Sequence, residues 1–498
     1  MRKNWSLMAA AGVLALGVVV YAFAPGSAAP EPAAPAAESN SAPAPVRIAA
    51  LDQPDNSARR TPQDAKEVNL SFASVVKRVA PAVVNVYSRS VVQAAVTPFA
   101  NDPFFRHFFG FNPRMQKRVE QSLGSGVIVR SDGLILTNDH VIKGGQDIVV
   151  ALPDKREFKA KVVLADPRLD LAVLKINTKG EKLPVVEFGN SDKLEVGDLV
   201  LAIGDPFGVG QTTTMGIVSA LARTDVGASN YQFFIQTDAA INPGNSGGAL
   251  VTTDGKLAGI NTAIVSRSGG SVGIGFAIPA NLARRVVEGA LSGGVKLPWI
   301  GADGQAVTDS LANALHLSRP EGVVLKNIYP GGPAAQAGLK SGDVVLSVNG
   351  QGVDDMQALN YHVATHRAGE WAHLKIARNG KIWATKVKLA LPPESPRRDT
   401  TTIGGRNPLT GAKVENLSPA VALDMEMDLF AKGVVIRSTN PNTPSGGYGF
   451  QRGDIVRAIN GQPVTDVARL RHLLDSAGGH WDLVIDRAGR RLTLSVDG

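Results

Sequence analysis

The sequence predicts a mainly β protein, and two textures in the chain predict it. Between residues 70 and 278 short apolar runs alternate with Gly, Asn and Asp, the pattern of a β-barrel or sandwich. Further on the chain repeats itself. Gly342-Asp343-Val344-Val345-Leu346-Ser347-Val348-Asn349-Gly350-Gln351 returns as Gly453-Asp454-Ile455-Val456-Arg457-Ala458-Ile459-Asn460-Gly461-Gln462, an offset of 111 residues (Gly342 to Gly453). The same offset carries Gly322-Val323-Val324-Leu325 onto Gly433-Val434-Val435-Ile436. So long a period exceeds any solenoid unit and marks a duplicated domain of about a hundred residues. The length of 498 residues suits about three domains.

Taken in order, the chain opens with Arg2 and Lys3 before an uncharged, mostly apolar run from Leu7 to Ala24. This is the layout of a secretory signal, yet its 18 residues also reach the length of a short transmembrane helix. Small residues suited to cleavage end at Ala24 and Ala29, but Pro25 and Pro30 come directly after them. Residues 1–24 therefore read as a signal peptide or an N-terminal membrane anchor. Both readings keep the two charges inside and export the rest. Residues 25–69 are rich in Ala and Pro and form an extended spacer. Strands are expected at Ala82–Tyr87, Gly126–Val129, Asp147–Leu152 and Leu171–Ile176, and a closing helix at Asn281–Leu291. Pro392-Pro393-Glu394-Ser395-Pro396-Arg397-Arg398 separates the two repeats. The formal charge of +8 is a mild excess, with no basic run interleaved with aromatics, so no nucleic-acid partner is expected. The absence of cysteine excludes disulfides, thiolate metal sites and a cysteine nucleophile. There is no HExxH and no phosphate loop, so neither a metal nor another cofactor is expected.

Gly244-Asn245-Ser246-Gly247-Gly248 places a serine among glycines. That fits a plain turn, and equally a nucleophile whose neighbouring N–H groups converge on an oxyanion. A serine hydroxyl needs a base. Of eight histidines only His107 and His140 precede Ser246. His107 lies in an aromatic stretch suited to packing, whereas His140 stands where the apolar run Leu134–Thr137 ends. An acid must then orient the imidazole. Asp170 heads Leu171-Ala172-Val173-Leu174-Lys175-Ile176, with Asp139, Asp166 and Asp238 as competitors. Ser246 also satisfies G-x-S-x-G, but the residues after it form a hairpin pattern around Asp254-Gly255 and not the helix an α/β-hydrolase requires.

Together Thr137-Asn138-Asp139-His140-Val141, Asp170-Leu171-Ala172-Val173-Leu174 and Gly244-Asn245-Ser246-Gly247-Gly248-Ala249-Leu250 resemble the HtrA/Deg family of serine proteases, close to its periplasmic bacterial branch. The likeness spans about residues 70 to 498 and includes Gly124-Ser125-Gly126 and Ile235–Asn242. It implies a chymotrypsin-like double β-barrel protease domain followed by two α+β PDZ domains. The boundaries read as 70–295 for the protease, 296–393 for the first PDZ domain, 394–402 for a linker and 403–498 for the second. By resemblance Ser246 is the nucleophile, His140 the general base and Asp170 the orienting acid. Gly244, Asn245 and Ser246 form the oxyanion hole, through the backbone N–H groups of Gly244 and Ser246. Arg223 matches an arginine that relays substrate sensing. The activation loops correspond to about Gly204–Gln211, Ala240–Asn245 and Val265–Gly275. Pro243 stands where relatives often carry arginine. Six phenylalanines between Phe99 and Phe111 resemble the loop through which subunits assemble. In the first PDZ domain Trp299, Ile300, Gly301 and Ala302 fit the loop that holds a peptide carboxylate, with Leu359 and Val363 on the other groove wall. In the second, Leu409-Thr410-Gly411-Ala412 is a weaker fit, and a scaffold that binds no peptide is the alternative. The resemblance implies an ATP-independent endoprotease acting on unfolded or damaged exported proteins, with C-terminal peptides as further partners. It implies trimers, with cages built from them, in the periplasm or tethered to the inner membrane. A chaperone on a protease fold is the alternative function.

Overall fold

A computed structural model of the chain describes residues 71–95, 115–205, 210–223, 233–264 and 271–498. The signal or anchor, the spacer, His107 and the phenylalanine-rich segment lie outside the described residues. Among the described residues no helix is long and apolar enough to cross a membrane.

Six strands close the first barrel: β1 (Val83–Ala95), β2 (Met115–Arg130), β3 (Leu134–Thr137), β4 (Asp147–Ala151), β5 (Glu157–Asp166) and β6 (Leu171–Ile176). Their order around it is β1-β2-β3-β6-β5-β4. The second comprises β7 (Leu199–Gly204), β8 (Thr212–Arg223), β9 (Phe234–Thr237), β10 (Ala249–Thr252), β11 (Leu257–Ile264) and β12 (Gly275–Pro279), in the order β10-β11-β12-β9-β8-β7. Closure removes sheet edges and lets continuous apolar strands such as β3 and β6 bury both ends of their run. β10 and β11 form the hairpin expected after Ser246, so no helix comes after the serine. The helix Ala280–Leu291 buries Leu282, Ala283, Val286 and Val287, a single stripe at helical spacing. It packs on β6 and β11 and so bridges the two barrels.

Each repeat folds as a sheet with one longer helix. The first sheet runs Ala302–Ala306, Val323–Ile328, Val344–Val348, Trp371–Arg378, Lys381–Lys388. The second runs Thr401–Thr402, Lys413–Asn416, Val434–Ser438, Ile455–Ile459, His480–Arg487, Arg490–Asp497. The repeated residues explain themselves here. Asp343 and Asp454 are fully buried, and each is gripped by a two-pronged arginine, Arg378 and Arg487 respectively. Asn349 and Asn460 take left-handed backbone, φ 50° and 48°. Their side chains accept the N–H of His373 at 2.8 Å and of Asp482 at 2.7 Å, pinning the turn to the next strand.

The first repeat docks on the protease domain through its helix Met356–Ala364. The Tyr361 ring stacks on Phe233 with centroids 3.9 Å apart and planes 1° from parallel. Gln351 Nε2 donates to the Asp192 carbonyl at 2.9 Å, and Arg367 Nη2 pairs with Glu288 at 2.7 Å. Beside Tyr361 sits His362, buried, its ring 5.4 Å from Phe233. Burial pushes the His362 pKa down to about 4, against an opposing pull from Asp192 and a further push from His366. The unfolded imidazole takes its proton near pH 6.5, whereas the folded one refuses it until about pH 4. Folding stability is therefore expected to fall as pH drops across that window, by about 3 kcal/mol at most. His362→Gln should flatten the dependence; melting temperatures of both proteins between pH 7 and 4 check it.

Candidate active site

His140 and Asp170 leave the first barrel at neighbouring strand ends. β3 and β6 pair antiparallel, Thr137 opposite Ala172, so the residues after the one and before the other converge. Asn138 Nδ2 donates to the Asp170 carbonyl at 2.8 Å and ties the two segments together. Asp170 takes φ 49°, a left-handed backbone uncommon outside glycine. Its carboxylate receives three donors. The His140 backbone N–H reaches Oδ1 at 3.0 Å, His140 Nδ1 reaches Oδ2 at 2.8 Å, and the Thr262 hydroxyl reaches Oδ2 at 2.7 Å. A carboxylate only accepts, so Nδ1 carries a proton and the neutral ring keeps Nε2 as an acceptor. Burial works to raise the Asp170 pKa. The His140 contact and the Thr262 hydroxyl outweigh it and hold the carboxyl below its usual range.

The competing acids are engaged elsewhere. Asp166 pairs with Arg168 at 2.7 Å, and Asp238 accepts the Ile217 N–H at 2.7 Å. Asp139 is buried at the start of a short helix, where burial and the Asp170 charge push its pKa up. Neither Asp139 nor the other two bonds to His140.

Ser246 comes from the loop between β9 and β10. Its Oγ donates to the Thr262 carbonyl at 2.9 Å, and among the described residues no hydrogen bond joins it to His140. The glycines around it are required by packing. A Cβ on Gly247 would lie 2.1 Å from the Ser125 carbonyl oxygen, and one on Gly248 2.3 Å from that of Ile203. Gly244 has φ 103°. The Asn245 N–H donates to the Asn242 carbonyl at 2.9 Å. The N–H groups of Gly244 and Ser246 find no acceptor among the described residues. Two free donors thus flank the serine.

Two residues support the site that motif reading left without a role. Thr262 holds both Asp170 and Ser246, one through its hydroxyl and one through its carbonyl. Ser125 is fully buried and donates its hydroxyl to the Gly244 carbonyl at 2.7 Å and its N–H to the Ser246 carbonyl at 2.8 Å. The only trace of Thr262 in the sequence is a polar pair, Asn261-Thr262, inside an otherwise apolar strand. Arg223 ends β8 with its backbone opposite Phe234, and its side chain lies outside the described residues.

In the first repeat, Trp299, Ile300 and Ala302 are buried. The Trp299 N–H donates to the Ala390 carbonyl at 3.0 Å, and the Ala334 and Tyr329 N–H groups bond to the carbonyls of Ile300 and Gly301, each at 2.8 Å. Gly301 takes φ 76°. The N–H groups of Ile300 and Gly301 have no acceptor among the described residues. Strand Ala302–Ala306 is an edge with the helix Met356–Ala364 against it. Leu359 and Val363 are buried on that helix.

These features have counterparts in known proteins. A family profile described as a trypsin-like peptidase domain matches residues 124–260, and one described as a PDZ domain matches 298–389 and 408–497. A probable periplasmic serine endoprotease, DegP-like, from Marinomonas sp. is 42% identical over 416 residues, covering 80% of this chain and 86% of that protein. The periplasmic serine endoprotease DegP of Salmonella typhimurium is 38% identical over 400 residues, covering 80% and 81%. A solved structure of the HtrA-type protease AlgW, a substituted form with a decapeptide, is 47% identical with a TM-score of 0.51. It covers 65% of this chain and 98% of that one.

The Thr262 hydroxyl stabilises ionised Asp170, so its loss should raise that pKa. Thr262→Val is expected to lower kcat/KM roughly ten-fold, the worth of one charge-assisted hydrogen bond. Asp170→Asn should cost on the order of 10⁴ in kcat. Steady-state cleavage of a fluorogenic peptide across pH checks both.

Proposed function

The chain belongs to the HtrA family of DegP-like serine endoproteases, and from that membership we propose which of its residues carry the reaction and what it acts on. It is a serine-type endopeptidase with two PDZ domains. The Asp170–His140 contact, backed by Thr262, is the observation that carries the assignment. Ser246 Oγ leaves the Thr262 carbonyl and turns to His140 Nε2, exchanging one neutral hydrogen bond for another. Nε2 takes the proton as Oγ attacks the scissile carbonyl. Asp170 stabilises the imidazolium, and the Gly244 and Ser246 N–H groups receive the oxyanion. The imidazolium then protonates the leaving amine, and water hydrolyses the acyl-enzyme by the same route. The parked serine describes a resting form that becomes competent on substrate binding. Arg223 is the candidate relay for that step.

Substrates are unfolded or damaged exported proteins. The first PDZ domain captures C-terminal peptides as an added strand beside Ala302–Ala306, with the Ile300 and Gly301 N–H groups on the carboxylate. The relatives' names support a periplasmic location, and the phenylalanine-rich segment supports a trimeric unit from which cages are built.

The test is digestion of one protein in its unfolded and folded forms by the purified enzyme and by Ser246→Ala. The unfolded form alone should be cut, and the substitution should lower the rate on the order of 10⁵-fold or more. Cleavage that survives Ser246→Ala would overturn the assignment. Protection of unfolded protein from aggregation by both forms, with cutting by neither, would favour the chaperone reading.

A further inference from the structure

The two PDZ grooves differ in what lies along them. In the first repeat the outer edge of Ala302–Ala306 carries no strand among the described residues. In the second, the corresponding edge strand Lys413–Asn416 already has a partner, supplied by the chain just ahead of the domain. Thr401 pairs antiparallel with Val414 and Thr402 with Lys413. The contact continues at both ends. The Asn416 N–H donates to the Arg398 carbonyl at 2.7 Å, and Asn416 Nδ2 to that of Arg397 at 2.8 Å. The Thr400 hydroxyl donates to Glu415 at 3.0 Å. At the other end the Ile403 N–H donates to the Ala412 carbonyl at 2.9 Å.

The direction and the end of this strand match those of a bound peptide. It runs toward the loop Leu409-Thr410-Gly411-Ala412, as a peptide runs toward a carboxylate loop. That loop is built like Trp299-Ile300-Gly301-Ala302. The Ser445 N–H bonds to the Thr410 carbonyl as the Ala334 N–H does to that of Ile300. Gly411 has φ 87°, Gly301 φ 76°. The Gly301 N–H is open, whereas the Gly411 N–H donates to the Ile403 carbonyl at 2.8 Å. The Ile403 carbonyl therefore stands where a terminal carboxylate oxygen would. Its side chain is buried in one apolar cluster with Leu409, Leu470, Leu473 and Leu474, the last three from the helix Val467–Asp475. Exposure alternates along the strand: Ile403 buried, Thr402 exposed, Thr401 half-buried.

We propose that the groove of the second PDZ domain is a C-terminal-peptide site filled in cis by residues 398–403, with Ile403 seated as the terminal side chain. Free peptides ending in a branched aliphatic residue enter it only by displacing that strand. The tethered segment competes at the effective concentration of a short linker, in the millimolar range, so a free peptide of equal contacts binds weakly.

The probe is the peptide Arg-Asp-Thr-Thr-Thr-Ile, the sequence of residues 398–403, with a free carboxylate and an N-terminal benzophenone. It is photocrosslinked to the full chain carrying Ser246→Ala, with and without Ile403→Ser, and the adducts are mapped by mass spectrometry. Adducts within 408–497 should saturate at a peptide concentration at least ten-fold lower when Ile403→Ser empties the pocket. Equal saturation in both proteins, or no adduct in 408–497 in either, overturns the proposal. If Ile403→Ser does not fold, hydrogen exchange of the unsubstituted segment decides. Saturating peptide should speed exchange at the Ile403 amide at least ten-fold, and an unchanged rate refutes displacement.

Discussion

Ser125 is the point on which the mutual placement of His140, Asp170 and Ser246 depends. It belongs to the first barrel, yet most of its hydrogen bonds go to the second. Its N–H supports the Ser246 carbonyl, its hydroxyl supports the Gly244 carbonyl, and that same hydroxyl accepts the Asp205 N–H at 2.9 Å. On its own side, its carbonyl accepts the Thr137 hydroxyl at 2.7 Å, three residues before His140. One buried residue thereby sets the loop that carries Ser246 against the segment that carries His140. The cost of leaving any of these buried groups unpaired makes the register of the two barrels hard to shift. It also explains the glycine at 247, since any side chain there would meet the Ser125 carbonyl.

A second line of contacts runs from the linker and the second PDZ domain to the turn that carries Asp170. Arg398 Nη2 pairs with Asp424 at 2.8 Å, Asp424 with Arg168 Nη1 at 2.7 Å, and Arg168 Nη2 with Asp166 at 2.7 Å. Arg168 lies two residues before Asp170 in a turn that must hold left-handed backbone at Asp170. These are charge-assisted bonds in partly buried surroundings, stronger than exposed pairs and directional through the guanidinium fork. The turn that aims the Asp170 carboxylate is thus braced from the second PDZ domain. The first PDZ domain leans on the other barrel instead, through Phe233, which directly precedes β9.

How much of this is legible in the sequence depends on whether a feature announces itself locally. His140 and Asp170 are legible as candidates because each sits at the edge of an apolar run, and Ser246 because glycines frame it. The duplication is legible because Asp343 with Asp454, and Asn349 with Asn460, recur at a fixed offset. Thr262 is not, since its partner Asp170 is 92 residues away and nothing local marks the contact. Nor is the side to which the Ser246 hydroxyl turns, because a rotamer is decided by the surrounding fold. The strand ahead of the second repeat reads as a linker, because Pro392-Pro393 and the charges of Arg397 and Arg398 are linker chemistry. Strand formation there comes from the pairing partner and the pocket for Ile403, neither of which local propensity encodes.

The two repeats divide along a physical line. Their internal struts are the same, a buried aspartate held by an arginine fork and an asparagine turn tied to the next strand, and these support the sheet whatever lies in the groove. The groove itself is an open sheet edge with free N–H groups at one end, which is useful for capturing a chain and hazardous for pairing with the wrong one. Every open edge a protein carries adds to that hazard. Leaving the Gly301 edge open while covering the Gly411 edge with its own strand keeps one capture site and closes the other. The covered copy can then serve as a brace for the Asp170 turn, because a groove already filled does not rearrange with each client that passes.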